Sequence, residues 1–152
     1  MKLFNSLYVI LLALLLSACK VELVVEDEED DIVRITVDSH YRSNLVDSNQ
    51  QYDLYFVDSE RVLTAKGNLR KVIVTGDTNV LFIQEDKAIE SLTLSGSKNQ
   101  IFEEDVEIVV DRIELSGNSN ILTITGCNSL LDSGEGNQII LMSGDDCAEI
   151  VD

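Results

Sequence analysis

The sequence predicts an all-β protein, a small single-stranded parallel β-helix with about 20 residues per turn. Three observations carry this expectation. A Gly-x-x-Asn motif recurs as Gly76-Asp77-Thr78-Asn79, Gly96-Ser97-Lys98-Asn99, Gly117-Asn118-Ser119-Asn120 and Gly134-Glu135-Gly136-Asn137, with the glycines 20, 21 and 17 residues apart. Short runs with alternating aliphatic residues flank each copy. The chain contains no proline, so every backbone amide is free to join a ladder.

Before the motif stand Val72-Ile73-Val74, Leu92-Thr93-Leu94 and Ile113-Glu114-Leu115, aliphatic at the first and third positions. After it, the second position past each asparagine is Leu81, Ile101, Leu122 or Ile139, and the first varies. A period of two marks a strand with one buried face. Each repeat therefore reads as strand, tight turn, strand and a variable polar return. Glycine and asparagine suit the turn because both tolerate positive φ. The inward ladder should hold Val74, Leu94 and Leu115 on one side and Leu81, Ile101, Leu122 and Ile139 on the other. The asparagines should stack as an amide ladder. Ile108-Val109-Val110 suggests a third short strand.

About 20 residues cannot build a four-stranded propeller blade, and the leucine ladder and helical return of leucine-rich repeats are missing. A β-sandwich is the alternative; it explains alternation but not the fixed register. Residues 72–152 form the repeat region, and residues 32–71 read as two degenerate turns or a cap. The clue there is an echo: Val37-Asp38-Ser39-His40 returns as Val57-Asp58-Ser59-Glu60, 20 residues on, and Asp58 precedes Gly76 by 18.

The N-terminus has a different character. Lys2 is followed by an apolar run from Leu7 to Leu16, too short for a lasting membrane span but suited to a secretory signal. Leu16-Ser17-Ala18-Cys19 then resembles the lipobox of bacterial lipoproteins. That resemblance covers residues 1–19. It implies cleavage of signal peptide 1–18 and a diacylglycerol thioether on Cys19, usually with an acyl group on the new amino terminus. Several acyl chains hold a protein on a membrane far more firmly than one. In many Gram-negative lipoproteins an aspartate after the cysteine favours inner-membrane retention. Lys20 stands there instead, so the resemblance points to the outer membrane, facing the periplasm. Residues 19–31 form a tether that ends in six consecutive acids, Glu26 to Asp31, a block that stays solvated and extended.

The formal net charge is −17, and loss of residues 1–18, which hold one lysine and no acid, takes it to −18. Such a chain repels nucleic acid, which is not expected as a partner. Of three cysteines, lipidation uses Cys19; Cys127 and Cys147 remain, an even pair in a compartment that permits disulfides. They lie 20 residues apart, one repeat, and rungs of a β-helix are about 4.8 Å apart, within the range a bridge spans. Counted from the preceding asparagine their registers differ by three. The repeat starting at Gly117 is also short, so the cysteines come level if its missing residues fall between Asn120 and Cys127.

Gly-x-x-Asn repeats behind a lipobox resemble an uncharacterised bacterial family of exported proteins, a domain of unknown function whose members form small parallel β-helices. The resemblance covers about residues 70–145 and implies no activity, substrate or catalytic residue.

The residues themselves point away from catalysis. There is no Gly-x-Ser-x-Gly elbow, no His-Glu-x-x-His and no phosphate-cradling glycine loop. One histidine, His40, and two thiols make no recognisable zinc pattern. Glu103, Glu104, Asp105, Glu107 and Asp111 are close in sequence, but 28 acids produce such neighbours without selection. Tyr41, Tyr52, Tyr55 and Phe56 are expected in core or cap packing. No enzyme, cofactor or metal is therefore expected. The expectation is an envelope lipoprotein of structural or protein-interaction type, anchored in the membrane and docking an envelope protein. The alternative is a divalent-cation or glycan binder acting through acidic faces.

Overall fold

The computed structural model describes residues 32–84, 88–104, 107–144 and 147–149. Its strands are β1 (Val33–Val37), β2 (Leu45–Phe56), β3 (Val62–Val74), β4 (Val80–Gln84), β5 (Ile89–Leu94), β6 (Gln100–Glu103), β7 (Val109–Leu115), β8 (Ile121–Ile124), β9 (Gly126–Asp132), β10 (Gln138–Leu141) and β11 (Ala148–Glu149), with no helix among the described residues. Every pairing is parallel and joins residues about one turn apart. The molecule is a β-solenoid of about five turns.

Each turn has two strands. One stack runs β3-β4-β6-β8-β10 and the other β3-β5-β7-β9-β11. β3 belongs to both, β2 pairs along both of its halves, and β1 lies on the end of β2. β3 bends from one stack to the other at Gly67, whose φ is +87°. A Cβ there would strike the Ser48 carbonyl, so the bend admits only glycine. Ile108-Val109-Val110 makes no separate third strand: Val109 opens β7, which continues through Ile113-Glu114-Leu115.

The core is the inward column of each stack. Val74, Leu94, Leu115, Leu81, Ile101 and Leu122 are all buried, as are Val72, Leu92 and Ile113. Ile139, on the final rung of its stack, is half-buried against the same core. One face of each strand packs inward and the other faces outward, which explains the alternation.

Residues 33–74 run in the same ladder as the repeats. Tyr52, Leu54 and Phe56 sit level with Leu69, Val72 and Val74, and Val33, Ile35 and Val37 of β1 close the core over them at that end. The Val37/Val57 echo misses the true register by one residue, because Val37 lies beside Phe56. The Asp58-to-Gly76 spacing does match the structural register, since Val62 lies beside Val80, also 18 residues on.

The short repeat also has a definite place. Gln100 lies beside Ile121, 21 residues on, whereas Val109 lies beside Gly126, 17 on. The missing residues come from the return between β8 and β9, which is Thr125 alone, where the return between β6 and β7 runs over 104–108. Cys127 and Cys147 thereby come together, bridged by a disulfide with Cα atoms 5.2 Å apart.

Candidate functional site

Two regions have distinct chemistry: the Gly-x-x-Asn corner and the outer face of the stack β3-β4-β6-β8-β10. At the corner each asparagine side chain is turned inward, and Asn79, Asn99 and Asn120 are 1 % exposed. The carboxamide oxygen accepts the backbone N–H of the equivalent residue one rung earlier: Asn79 N–H to Asn99 Oδ1 at 2.9 Å, Asn99 to Asn120 at 2.9 Å, and Asn120 to Asn137 at 2.9 Å. Each Nδ2 donates back to the carbonyl of the earlier rung's glycine, Gly76, Gly96 or Gly117. Both halves of the amide are used, which is why neither aspartate nor leucine replaces it. The ladder thus runs from side chain to backbone. One direct amide–amide bond joins in, from Asn120 Nδ2 to Asn137 Oδ1 at 3.1 Å.

The motif glycines serve approach, not positive φ. A Cβ on Gly76, Gly96, Gly117 or Gly134 would run into the carbonyl of Asp58, Gly76, Gly96 or Gly117 on the rung before. The left-handed residue is instead the third of the motif: Thr78 at φ 60°, Lys98 at 59°, Ser119 at 57° and Gly136 at 69°. This corrects the expectation that glycine and asparagine supply the positive φ.

Sequence reasoning also passed over a second ladder at the second motif position. Ser59 Oγ accepts the N–H of Asp77, Asp77 Oδ1 that of Ser97, Ser97 Oγ that of Asn118, and Asn118 Oδ1 that of Glu135. The signal was available: Ser59, Asp77, Ser97 and Asn118 all hold an oxygen one or two bonds beyond Cβ.

Arg61 takes the asparagine position on the preceding rung. Its N–H donates to Asn79 Oδ1 at 3.0 Å, and its Nη1 reaches the Asp38 carbonyl at 3.1 Å and that of Tyr41 at 2.6 Å. The longer guanidinium spans a wider corner and ends the ladder with charge-assisted bonds.

Of the acids grouped in sequence, Glu103, Glu104 and Asp111 are occupied with the backbone and with neighbours, and Glu107 is exposed. Glu103 accepts the N–H groups of Ile108 and Thr125 and the Thr125 hydroxyl, and so closes the shortened return. Glu104 accepts from Gln84, and Asp111 from Asn128. Asp105 lies outside the described residues. No three His, Cys, Asp or Glu side chains converge on a metal position among the described residues. His40 is exposed, and the hydrogen bond from its backbone N–H holds the Asp38 carboxyl below the usual range. Of the aromatic group, Tyr52 and Phe56 are core, Tyr41 donates its hydroxyl to the Leu45 carbonyl, and Tyr55 lies outward under the Arg34 guanidinium.

The two outer faces differ. On the β5-β7-β9 side charges are paired: Arg70 with buried Asp53 at 2.7 Å, Lys71 with Glu90 at 3.3 Å, Arg112 with Glu114 at 2.6 Å. On the β4-β6-β8 side the two central outward columns have no charge. One is Leu45, Thr64, Phe82, Phe102, Thr123 and Ile140; the other is Val62, Val80, Gln100, Ile121 and Gln138. Phe82 and Phe102 stack with centroids 5.7 Å apart. Leu45, Val62 and Ile140 are among the most exposed large apolar residues described.

Cys19 and the acidic segment through Asp31 lie outside the described residues. The architecture places the chain among parallel β-solenoids. Comparison with protein-family models, curated proteins and solved structures finds no match.

Proposed function

We propose that this chain is a lipid-anchored envelope protein that works as a recognition scaffold, tethered through Cys19 and docking another protein through its uncharged β-sheet face. The observation that carries the reading is that face. On a chain of net charge −17, eleven neighbouring outward positions hold no acid and no base. A parallel sheet is ordinarily covered on both faces, and seven of these eleven positions are apolar, the composition of an interaction surface rather than of a solvated charged face. The rigid ladder behind it supplies a preorganised platform. The lipobox resemblance and the six-acid tether support a position held off a membrane surface.

A photo-crosslinking amino acid placed at Phe82 and, separately, at Thr93 on the opposite sheet tests this in intact cells. A discrete protein adduct is expected from position 82 and none from position 93. No adduct from position 82, or equal adducts from both, would overturn the reading. The alternative of cation or glycan binding through acidic faces has less support, because the carboxylates of Glu103, Glu104 and Asp111 are taken up by hydrogen bonds within the fold.

A further inference from the structure

The uncharged face is nearly palindromic along the solenoid. Its longer column reads Leu45, Thr64, Phe82, Phe102, Thr123, Ile140 from one end to the other, one residue per rung. The stacked Phe82–Phe102 pair lies at the middle. A two-fold axis between those rings, lying in the face and parallel to the strands, would set Phe82 against Phe102, Thr64 against Thr123 and Leu45 against Ile140. In the second column it pairs Val62 with Ile121, apolar with apolar, and Val80 with Gln100. A closed dimer needs this kind of self-complementarity, in which residue i meets j and j meets i.

We propose that the occupant of this face is a second copy of the chain, packed face to face with its solenoid antiparallel. The inference rests on the reading of the face as a docking surface and specifies what docks there. Eleven outward positions, each about 4.8 Å by 6.6 Å, give roughly 350 Å² per copy. The pair buries about 700 Å², below the ~1,000 Å² expected of a specific interface. Association is therefore weak in dilute solution and favoured by confinement on a membrane, which raises effective concentration. Two cleaved copies at −18 repel at long range, and salt screens that repulsion over about 8 Å at physiological strength. Pairing strengthens as salt is raised, the opposite of an interface held by ion pairs.

The test uses full-length chains in membranes. One chain carries Thr64→Cys and a second, differently tagged, carries Thr123→Cys. Facing sheets lie about 10 Å apart, beyond a disulfide's reach, so a short bis-maleimide is the reporter. The expected product is the mixed dimer, several-fold more abundant at 0.5 M than at 0.05 M salt, with little product from either variant alone, because identical positions lie about three rungs, roughly 14 Å, apart along the axis. Adding Phe82→Glu to both chains should remove the product, with membrane retention unchanged. Absence of mixed product at every salt concentration, or equal product from Thr64→Cys alone, would overturn the pairing. If position 82 still captures a different protein, the scaffold reading stands without it.

Discussion

Asn99 Oδ1 accepts the backbone N–H of Asn79 across 2.9 Å, and Asn99 Nδ2 donates to the Gly76 carbonyl of the same earlier rung at 2.9 Å. One buried carboxamide thus satisfies a donor and an acceptor twenty or more residues back in the chain. Where a corner turns away from the strand ladder, this is how its backbone groups are paired.

Asn99→Leu should destabilise the protein by about 2–6 kcal/mol, because it leaves a buried N–H and a buried carbonyl unpaired at about 1–3 kcal/mol each. Asn99→Asp keeps the acceptor but turns an oxygen towards the Gly76 carbonyl, so it should lose nearly as much at neutral pH. Chemical denaturation measures both, and hydrogen exchange should show protection lost first at Asn79.

Two glycines in the corner motifs should respond differently. Gly96→Ala places a Cβ against the Gly76 carbonyl and should destabilise by about 3 kcal/mol or more, since backbone must move. Gly136→Ala meets only the Ser119 hydroxyl at ordinary contact distance and bears the left-handed penalty of about 1–2 kcal/mol. Equal losses in thermal melts would contradict the separate roles assigned to the two positions.

Much of this was legible because the residues concerned have unshared chemistry. Asparagine's donor and acceptor, and glycine's missing Cβ, are called for at four successive corners, so their spacing is visible in the sequence. The left-handed third position escaped because its side chain points to water, and threonine, lysine, serine and glycine all occupy it. The rung at 58–61 was obscured because Arg61 takes over the donor half of the asparagine's task with another side chain, its guanidinium reaching the Asp38 carbonyl. The palindromic face stayed hidden because placing Leu45 and Thr64 in the column requires knowing that Arg61 stands where later rungs have asparagine.

Leu94→Ala and Ile101→Ala, each emptying a fully buried position, should destabilise by about 2–5 kcal/mol, as such truncations do when the cavity does not collapse. Thr93→Ala, outward on the other sheet, should stay within about 0.5 kcal/mol. Denaturant midpoints separate the two groups.

The Cys127–Cys147 bridge ties β9 to the last rung. Replacing both cysteines with serine should lower stability by about 3 kcal/mol, the effect of closing a loop of this length. Mass spectrometry of the unreduced protein should find neither thiol alkylated. Two alkylatable thiols at these positions would rule the bridge out.

Anchoring at Cys19 is the claim on which the functional reading depends most. Radioactive palmitate fed to expressing cells should label the wild-type chain and leave Cys19→Ser unlabelled, with the substituted protein released from the membrane fraction. A Cys19→Ser chain that still incorporates palmitate and still sediments with membranes would contradict it.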